Sequence, residues 1–292
     1  MANKCLSVAL HGGAGAKRAR DYSKEIVHMR GVIEAARDQL EAGASAVDVA
    51  VETVKALELS GLYVAGRGAS ANTAGRYELD ACLMDGAAGD AGAVAALQGF
   101  QSPIEVARCV MVETPHVMLA GEGAALFAAE HGLDAIDDPK AWFTHAGTFE
   151  DNHPPGKLAH GTVGCVVRDE QGRLAGATST GGVFGKLPGR VGDSPVIGAG
   201  AWADGTVAVS CTGQGEYFLR TSAASQVAFR MRFLGQSVAQ ASQAVLDEIK
   251  AMGGDGGLIA VDAAGNVAMP FVSEGMKRAA LTSDGEIVSA AF

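Results

Sequence analysis

The residues that could do chemistry begin at Gly161-Thr162-Val163-Gly164, where a threonine enters an apolar strand directly after a long aperiodic stretch, 133–160. A threonine hydroxyl is a weak nucleophile and needs a base to take its proton. A free α-amino group on the same residue, with a pKa of about 7.7–8.0, would serve at neutral pH. Cutting the Gly161–Thr162 bond would create that amine. Before the cut, the hydroxyl would have to attack the Gly161 carbonyl, and glycine permits the strained backbone that such an internal acyl shift demands. By itself a Gly-Thr pair is an ordinary turn followed by a β-former, so its meaning depends on what accompanies it.

Three polar clusters follow: Thr178-Ser179-Thr180-Gly181-Gly182, Gly189-Arg190-Val191-Gly192-Asp193-Ser194-Pro195, and Cys211-Thr212-Gly213-Gln214-Gly215-Glu216. A guanidinium fork and a carboxylate close together, Arg190 and Asp193, suit a substrate that carries both an α-carboxylate and an α-ammonium. The plain alternative is a solvated ion pair in a glycine-rich loop. In isolation Thr180 and Thr212 likewise read as hydroxyls that satisfy nearby backbone. Gly66-x-Gly68 and Gly213-x-Gly215 complete no nucleotide-binding motif. The seven histidines include no metal-binding pair, so no metal site is expected. His11, His116 and His160 read as structural or linker residues, with His160 placed beside the scissile bond to assist self-cleavage.

These residues need a scaffold. An apolar strand at 6–10 ends in His11-Gly12-Gly13-Ala14-Gly15, a loop able to approach a neighbouring backbone closely. Met29, Val32, Ile33, Ala36 and Leu40 keep a helical period that Gly43 stops. Ser45 and Asp48 open a second helix with the stripe Val47, Ala50, Val51, Val54 and Leu57. Strands are expected at 77–85 and 91–98, and two helices across 102–132, broken around Gly121. After the aperiodic stretch come a hairpin at 162–168 and 174–178, a strand at 207–210, and helices at 215–232 and 237–252. A second hairpin at 258–262 and 267–271 places Asp262 and Gly265 where Asp169 and Gly172 stand in the first. Strands and helices grouped in blocks favour an α+β fold with antiparallel sheets.

Composition narrows the function. At 292 residues and 48% hydrophobic, the chain can bury a substantial core. A formal charge of −10 without any basic stripe excludes nucleic acid as the expected partner. Five widely spaced cysteines, never as C-x-x-C, read as reduced and mostly buried; Cys165 alternates with Val163 and Val167 as one more apolar strand residue. Residues 1–9 are too short and polar for the apolar core of a signal peptide, and there is no apolar run of about 18 residues to span a membrane. A cytoplasmic location is the expectation.

Together with His11-Gly12-Gly13-Ala14-Gly15 and Pro270-Phe271-Val272-Ser273-Glu274-Gly275-Met276, the clusters fall in the order of a known family. Over nearly its whole length the chain resembles the plant-type asparaginase and isoaspartyl peptidase family of N-terminal-nucleophile hydrolases. The resemblance implies one domain, 1–292, built as a four-layer αββα sandwich of two stacked antiparallel sheets. Self-cleavage between Gly161 and Thr162 would yield a large chain, 1–161, ending in a mobile linker (about 133–161), and a small chain, 162–292. Thr162 would be the nucleophile, with Thr180 beside it and an oxyanion hole made by the Thr212 hydroxyl and the Gly213 amide. Arg190 and Asp193 would grip an aspartyl head group, with Thr212, Gly213 and Gly215 lining that end of the pocket. The implied reaction releases aspartate from β-aspartyl dipeptides and from asparagine, without an organic cofactor. The resemblance also allows a sodium ion on backbone carbonyls around 57–67, and a dimer of processed heterodimers.

The chain departs from the family's pattern where an asparagine usually precedes Ala-Gly and helps to hold the new amino group. Here the residue is Val64, followed by Ala65-Gly66-Arg67-Gly68, with Arg67 read as solvated; Val272 also replaces a usual polar residue. This altered loop points to a preference for β-aspartyl dipeptides, cyanophycin fragments included, over asparagine. Two other readings stand beside it. A glycosylasparaginase would ordinarily carry aspartate before its nucleophile and enter a secretory compartment. An uncleaved relative would bind an amino acid through Arg190 and Asp193 without hydrolysing anything.

Overall fold

The computed structural model describes residues 5–144 and 161–292. The first part runs β1 (Ser7–Ala14), α1 (Ser23–Glu41), α2 (Ala46–Ser60), β2 (Leu79–Asp85), β3 (Ala91–Leu97), α3 (Pro103–Glu113), β4 (Met118–Ala120), α4 (Gly121–Glu130) and α5 (Pro139–Trp142). The second runs β5 (Thr162–Arg168), β6 (Leu174–Thr180), β7 (Ala201–Ala203), β8 (Val207–Gly213), α6 (Gly215–Thr221), α7 (Ala223–Leu234), α8 (Val238–Ala251), β9 (Gly256–Asp262), β10 (Val267–Ala268), β11 (Met276–Leu281) and β12 (Ile287–Ala290). An eight-stranded sheet has the order β12-β11-β1-β5-β6-β2-β3-β4, and a four-stranded sheet the order β10-β9-β8-β7. The mixed α+β class is as expected. The pairing is antiparallel except between β3 and β4, which run parallel.

Strand alternation sorts side chains into three apolar clusters. Val8 and Leu10 of β1, with Val163, Cys165 and Val167 of β5, pack with Met29, Ile33 and Leu40 of α1 and Val49, Val54 and Leu57 of α2. Val207, Val209 and Cys211 of β8 and Leu258 and Ala260 of β9 pack with Val227 of α7 and Val245, Leu246 and Ile249 of α8. The intervening residues Ala9, Val166, Ala208, Ile259 and Val261 meet one another. A period of two thus feeds two partners from each strand. Small residues dominate where the sheets approach: a Cβ on Gly176 would lie 3.0 Å from the Trp202 carbonyl oxygen, and one on Gly164 would collide with Ser210 Oγ.

The helix signals act as read. The Ser45 hydroxyl accepts from the Asp48 amide at the start of α2, and Ser237 with Gln240 forms a complete capping box on α8. Four readings need correction. The expected helix at 215–232 is broken at Ser222, whose φ of 51° is left-handed, separating α6 from α7. The first strand continues through the glycines to Ala14, because β11 pairs there, Ala14 opposite Met276 after an irregularity past His11, while the register with β5 ends at His11 and Gly164. Strands β11 and β12 complete one edge of the large sheet where the sequence carried no explicit strand assignment. The aperiodic stretch begins ordered: α5 is capped by Asp138, and Phe143 stacks on Tyr77 with ring centroids 3.7 Å apart. Residues 145–160 of that stretch lie outside the described residues. Among the described residues no helix is long and apolar enough to cross a membrane.

Candidate active site

Thr162 is the first residue of β5, buried, and its register partner on β6 is Thr180. Directly opposed residues of antiparallel strands bring their side chains together. The Thr162 hydroxyl donates to Thr180 Oγ1 at 3.3 Å, and Thr180 Oγ1 also accepts from the Gly182 amide at 3.0 Å. The Thr180 proton is left for the Gly161 carbonyl oxygen, a long contact at 3.5 Å. One hydroxyl therefore receives the Thr162 hydrogen bond and faces the Gly161 carbonyl.

His11 supports the other side of Thr162. Its Nδ1 lies 3.1 Å from the Thr162 carbonyl oxygen, and its Nε2 3.0 Å from Ser210 Oγ. A carbonyl can only accept, so Nδ1 carries the proton and Nε2 accepts from Ser210. Ser210 Oγ is in turn 2.6 Å from Thr178 Oγ1, which also reaches the Gly200 carbonyl. Burial holds the His11 pKa down at about 3, so the ring is neutral and its tautomer is set by this chain. His11, read as structural, thus holds the Thr162 backbone in place.

Glycines let the walls close. A Cβ on Gly161 would come 2.5 Å from Val64 Cγ2, and one on Gly13 would come 3.0 Å from Gly161 Cα. The Val64 carbonyl accepts from the Gly181 amide at 2.8 Å, linking the 61–67 loop to the turn after Thr180. Arg67 is not a free surface group: Nε donates to the Trp142 carbonyl at 3.1 Å, and the guanidinium lies 5.4 Å from the Trp142 ring centroid. Thr144 completes the clasp through the Gly61 and Arg67 carbonyls. Among the described residues no cluster of His, Cys, Asp and Glu forms a metal site.

Thr212 and Gly213 end β8 beside β1. The Thr212 hydroxyl accepts from the Ala14 amide at 3.1 Å, which leaves its proton available to a ligand. Gly213 has φ of 155°, with Phe218 and the Asp255 carbonyl packed where a Cβ would stand. Arg190 and Asp193 converge on Gly215: a Cβ there would lie 2.8 Å from Asp193 Oδ1 and 3.0 Å from Arg190 Nη2. The ion pair of Arg190, however, is with Glu216, through Nε at 2.9 Å and Nη2 at 2.8 Å. Asp193 is buried, its Oδ2 has no hydrogen-bond partner, and burial pushes its pKa up to about 7. A buried carboxylate oxygen without a partner has the chemistry to accept a hydrogen bond from a ligand's ammonium.

His160 lies outside the described residues, and His116 is exposed. Cys82, Cys165 and Cys211 are buried, and burial raises the Cys165 thiol to about 12, which removes it as a nucleophile. Sequence reasoning missed Ser210, Glu216, and the buried Glu78, Asp80 and Lys186. The signal present was polar residues two apart on apolar strands, Glu78 with Asp80 and Ser210 with Thr212.

A family model described as Asparaginase matches residues 4–289, and the chain belongs to that family. It is 46% identical to the isoaspartyl peptidase of Salmonella typhimurium, covering 95% of each chain, and 44% identical to that of Escherichia coli, covering 93% of this chain and 91% of the other. It is also 38% identical to the isoaspartyl peptidase/L-asparaginase of Bos taurus, covering 97% of this chain and 94% of the other.

Proposed function

We propose that the protein is a self-processing amidohydrolase that releases aspartate from β-aspartyl dipeptides, and from asparagine less efficiently. The observation that carries this reading is the contact of the Thr162 hydroxyl with Thr180, which also faces the Gly161 carbonyl. In maturation, Thr162 Oγ attacks the Gly161 carbonyl carbon and the Gly161–Thr162 C–N bond breaks, leaving an ester that water hydrolyses. The products are a Gly161 carboxylate and a free Thr162 amine.

In turnover that amine takes the Thr162 proton as Oγ attacks the β-carbonyl carbon of the substrate. The developing oxyanion meets the Thr212 hydroxyl, whose proton is not used by Ala14, and the Gly213 amide. The Thr162 ammonium then protonates the departing amine as the C–N bond breaks. Water hydrolyses the aspartyl ester and restores Thr162. Arg190 receives the α-carboxylate and Asp193 the α-ammonium, which selects an aspartyl unit attached through its side chain.

The same reading includes four layers, helix–sheet–sheet–helix, with residues 1–161 and 162–292 as the large and small chains and two such heterodimers paired. A preference for dipeptides is supported by the apolar Val64 against Gly161 and by the two bacterial relatives, both isoaspartyl peptidases by name. Intact mass and N-terminal sequencing of wild type and Thr162→Ala test the cleavage; a fragment beginning at Thr162 is expected in wild type only. A specificity constant higher for asparagine than for several β-aspartyl dipeptides overturns the preference.

A further inference from the structure

Glu78, one residue before β2, is buried together with Asp80 and Lys186. Lys186 sits in the loop between the Thr180 turn and Arg190. Its ammonium donates to the Glu78 carbonyl at 2.8 Å and stands 4.0 Å from Glu78 Oε2, at ion-pair rather than hydrogen-bond distance. The other carboxylate oxygen, Oε1, accepts from the Gly189 amide at 3.0 Å. Gly189 immediately precedes Arg190. At the opposite end, a Cβ on Gly182 would lie 2.6 Å from Lys186 Nζ, so the ammonium rests against the residue whose amide holds Thr180 Oγ1. Asp80, the register partner of Thr180 across β2 and β6, adds a second carboxylate whose Oδ2 is buried without a hydrogen-bond partner.

A buried cation and two buried carboxylates are costly to desolvate and are retained only where their geometry is well determined. Here the three charges touch both halves of the site through separate atoms. We propose that the Glu78–Lys186 pair is a positioning device that holds the Thr180–Gly182 turn, which orients the nucleophile, in register with the Gly189–Arg190 loop, which receives the substrate carboxylate. Neither residue reaches the reacting atoms. Glu78 acts on substrate binding through Gly189, and Lys186 acts on the chemical step through Gly182. The inference rests on the reaction proposed above.

The test uses full-length protein allowed to process itself, with kcat and KM measured on a β-aspartyl dipeptide and the Kd of aspartate measured by calorimetry. Glu78→Ala removes the acceptor of Gly189 and the carboxylate beside Lys186, leaving only the main-chain carbonyl to the ammonium, and is expected to raise KM and the aspartate Kd about tenfold and to lower kcat. Glu78→Gln keeps an acceptor for Gly189, so KM should stay within about twofold of wild type while kcat falls. Lys186→Met should lower kcat and slow self-cleavage with KM least affected; if it fails to fold, Glu78→Gln with Lys186→Met, neutral at both positions, replaces it. Variants that fold and process with wild-type kcat, KM and Kd, and show only a lower Tm, overturn the proposal. A wild type inactive on the dipeptide would instead defeat the assigned reaction, and aspartate binding and self-cleavage in the variants would then judge the brace.

Discussion

The side chain of Val64 lies against the Cα of Gly161, so that a Cβ on Gly161 would approach Val64 Cγ2 to 2.5 Å and Val64 Cβ to 2.6 Å. The glycine before Thr162 is therefore demanded by the 61–67 loop. Gly161→Ala should slow self-cleavage by at least about tenfold, because displaced attack geometry of about 1 Å carries penalties of that order or larger. Gly161→Ala with Val64→Ala should recover part of the rate. A time course of the Thr162 fragment on a denaturing gel checks both; equal rates in the single and double variants would show that Val64 is not the obstacle.

Thr212→Val should lower kcat by roughly a hundredfold to a thousandfold while leaving KM nearly unchanged, since the lost proton serves the oxyanion and not the bound substrate. The Ala14 amide would also lose its acceptor, at about 1–3 kcal/mol of stability. Steady-state kinetics and thermal unfolding separate the two effects. A large rise in KM with kcat preserved would assign Thr212 to substrate binding instead.

Acid should weaken catalysis through Asp193. Burial raises its pKa to about 7, so as pH falls through that value the carboxylate that meets the substrate ammonium is neutralised. The Thr162 amine, ordinarily about 7.7–8.0, is lost as a base over the same range. The kcat/KM profile should fall on its acid side below about pH 7, with no component from His11, whose pKa is held near 3. An unchanged kcat/KM from pH 8 to 5.5 would contradict this assignment.

Glu58 gives a stability prediction of definite sign. It is buried, accepts from the Ser102 hydroxyl at 2.5 Å and the Ile104 amide at 3.1 Å at the start of α3, and burial raises its pKa to about 8 from 4.5. Between those values the folded state holds a proton that the unfolded state has released. The contribution is present below about pH 4.5 and is lost as pH rises toward 8, with a slope of at most about 1.4 kcal/mol per pH unit. Glu58→Gln should flatten the fall in stability from pH 5 to 8 measured by denaturant unfolding. Parallel curves for the two proteins would place the titration elsewhere.

Arg67 should hold residues 142–144 in place against the 61–67 loop. Arg67→Ala removes both the Trp142 carbonyl contact and the cation–π contact with its ring, and Arg67→Lys lacks the guanidinium Nε–H that donates to that carbonyl. Hydrogen exchange at residues 142–144 should rise about fivefold to tenfold in either variant, corresponding to about 1 kcal/mol of local stability. Unchanged exchange there would show that the Phe143 stack on Tyr77 suffices.

The strands and helices around Thr162, and the family, were readable from the sequence by itself, because each depends on local order. Apolar residues two apart make a strand such as Thr162–Arg168, three or four apart a helix such as Val238–Ala251, and serine with glutamine three residues on marks where a helix begins. The value of a threonine freed at a chain terminus is likewise covalent chemistry. Tertiary structure alone decided which distant residues share an environment. Val64 meets Gly161, His11 reaches Ser210 across 199 positions, Lys186 reaches Glu78 across 108, and Arg190 turns to Glu216 while Asp193 keeps a bare oxygen. Periodicity shows that a strand has two faces, but the partner of each face, and so every desolvation and hydrogen bond in the site, is set by how the sheets stack.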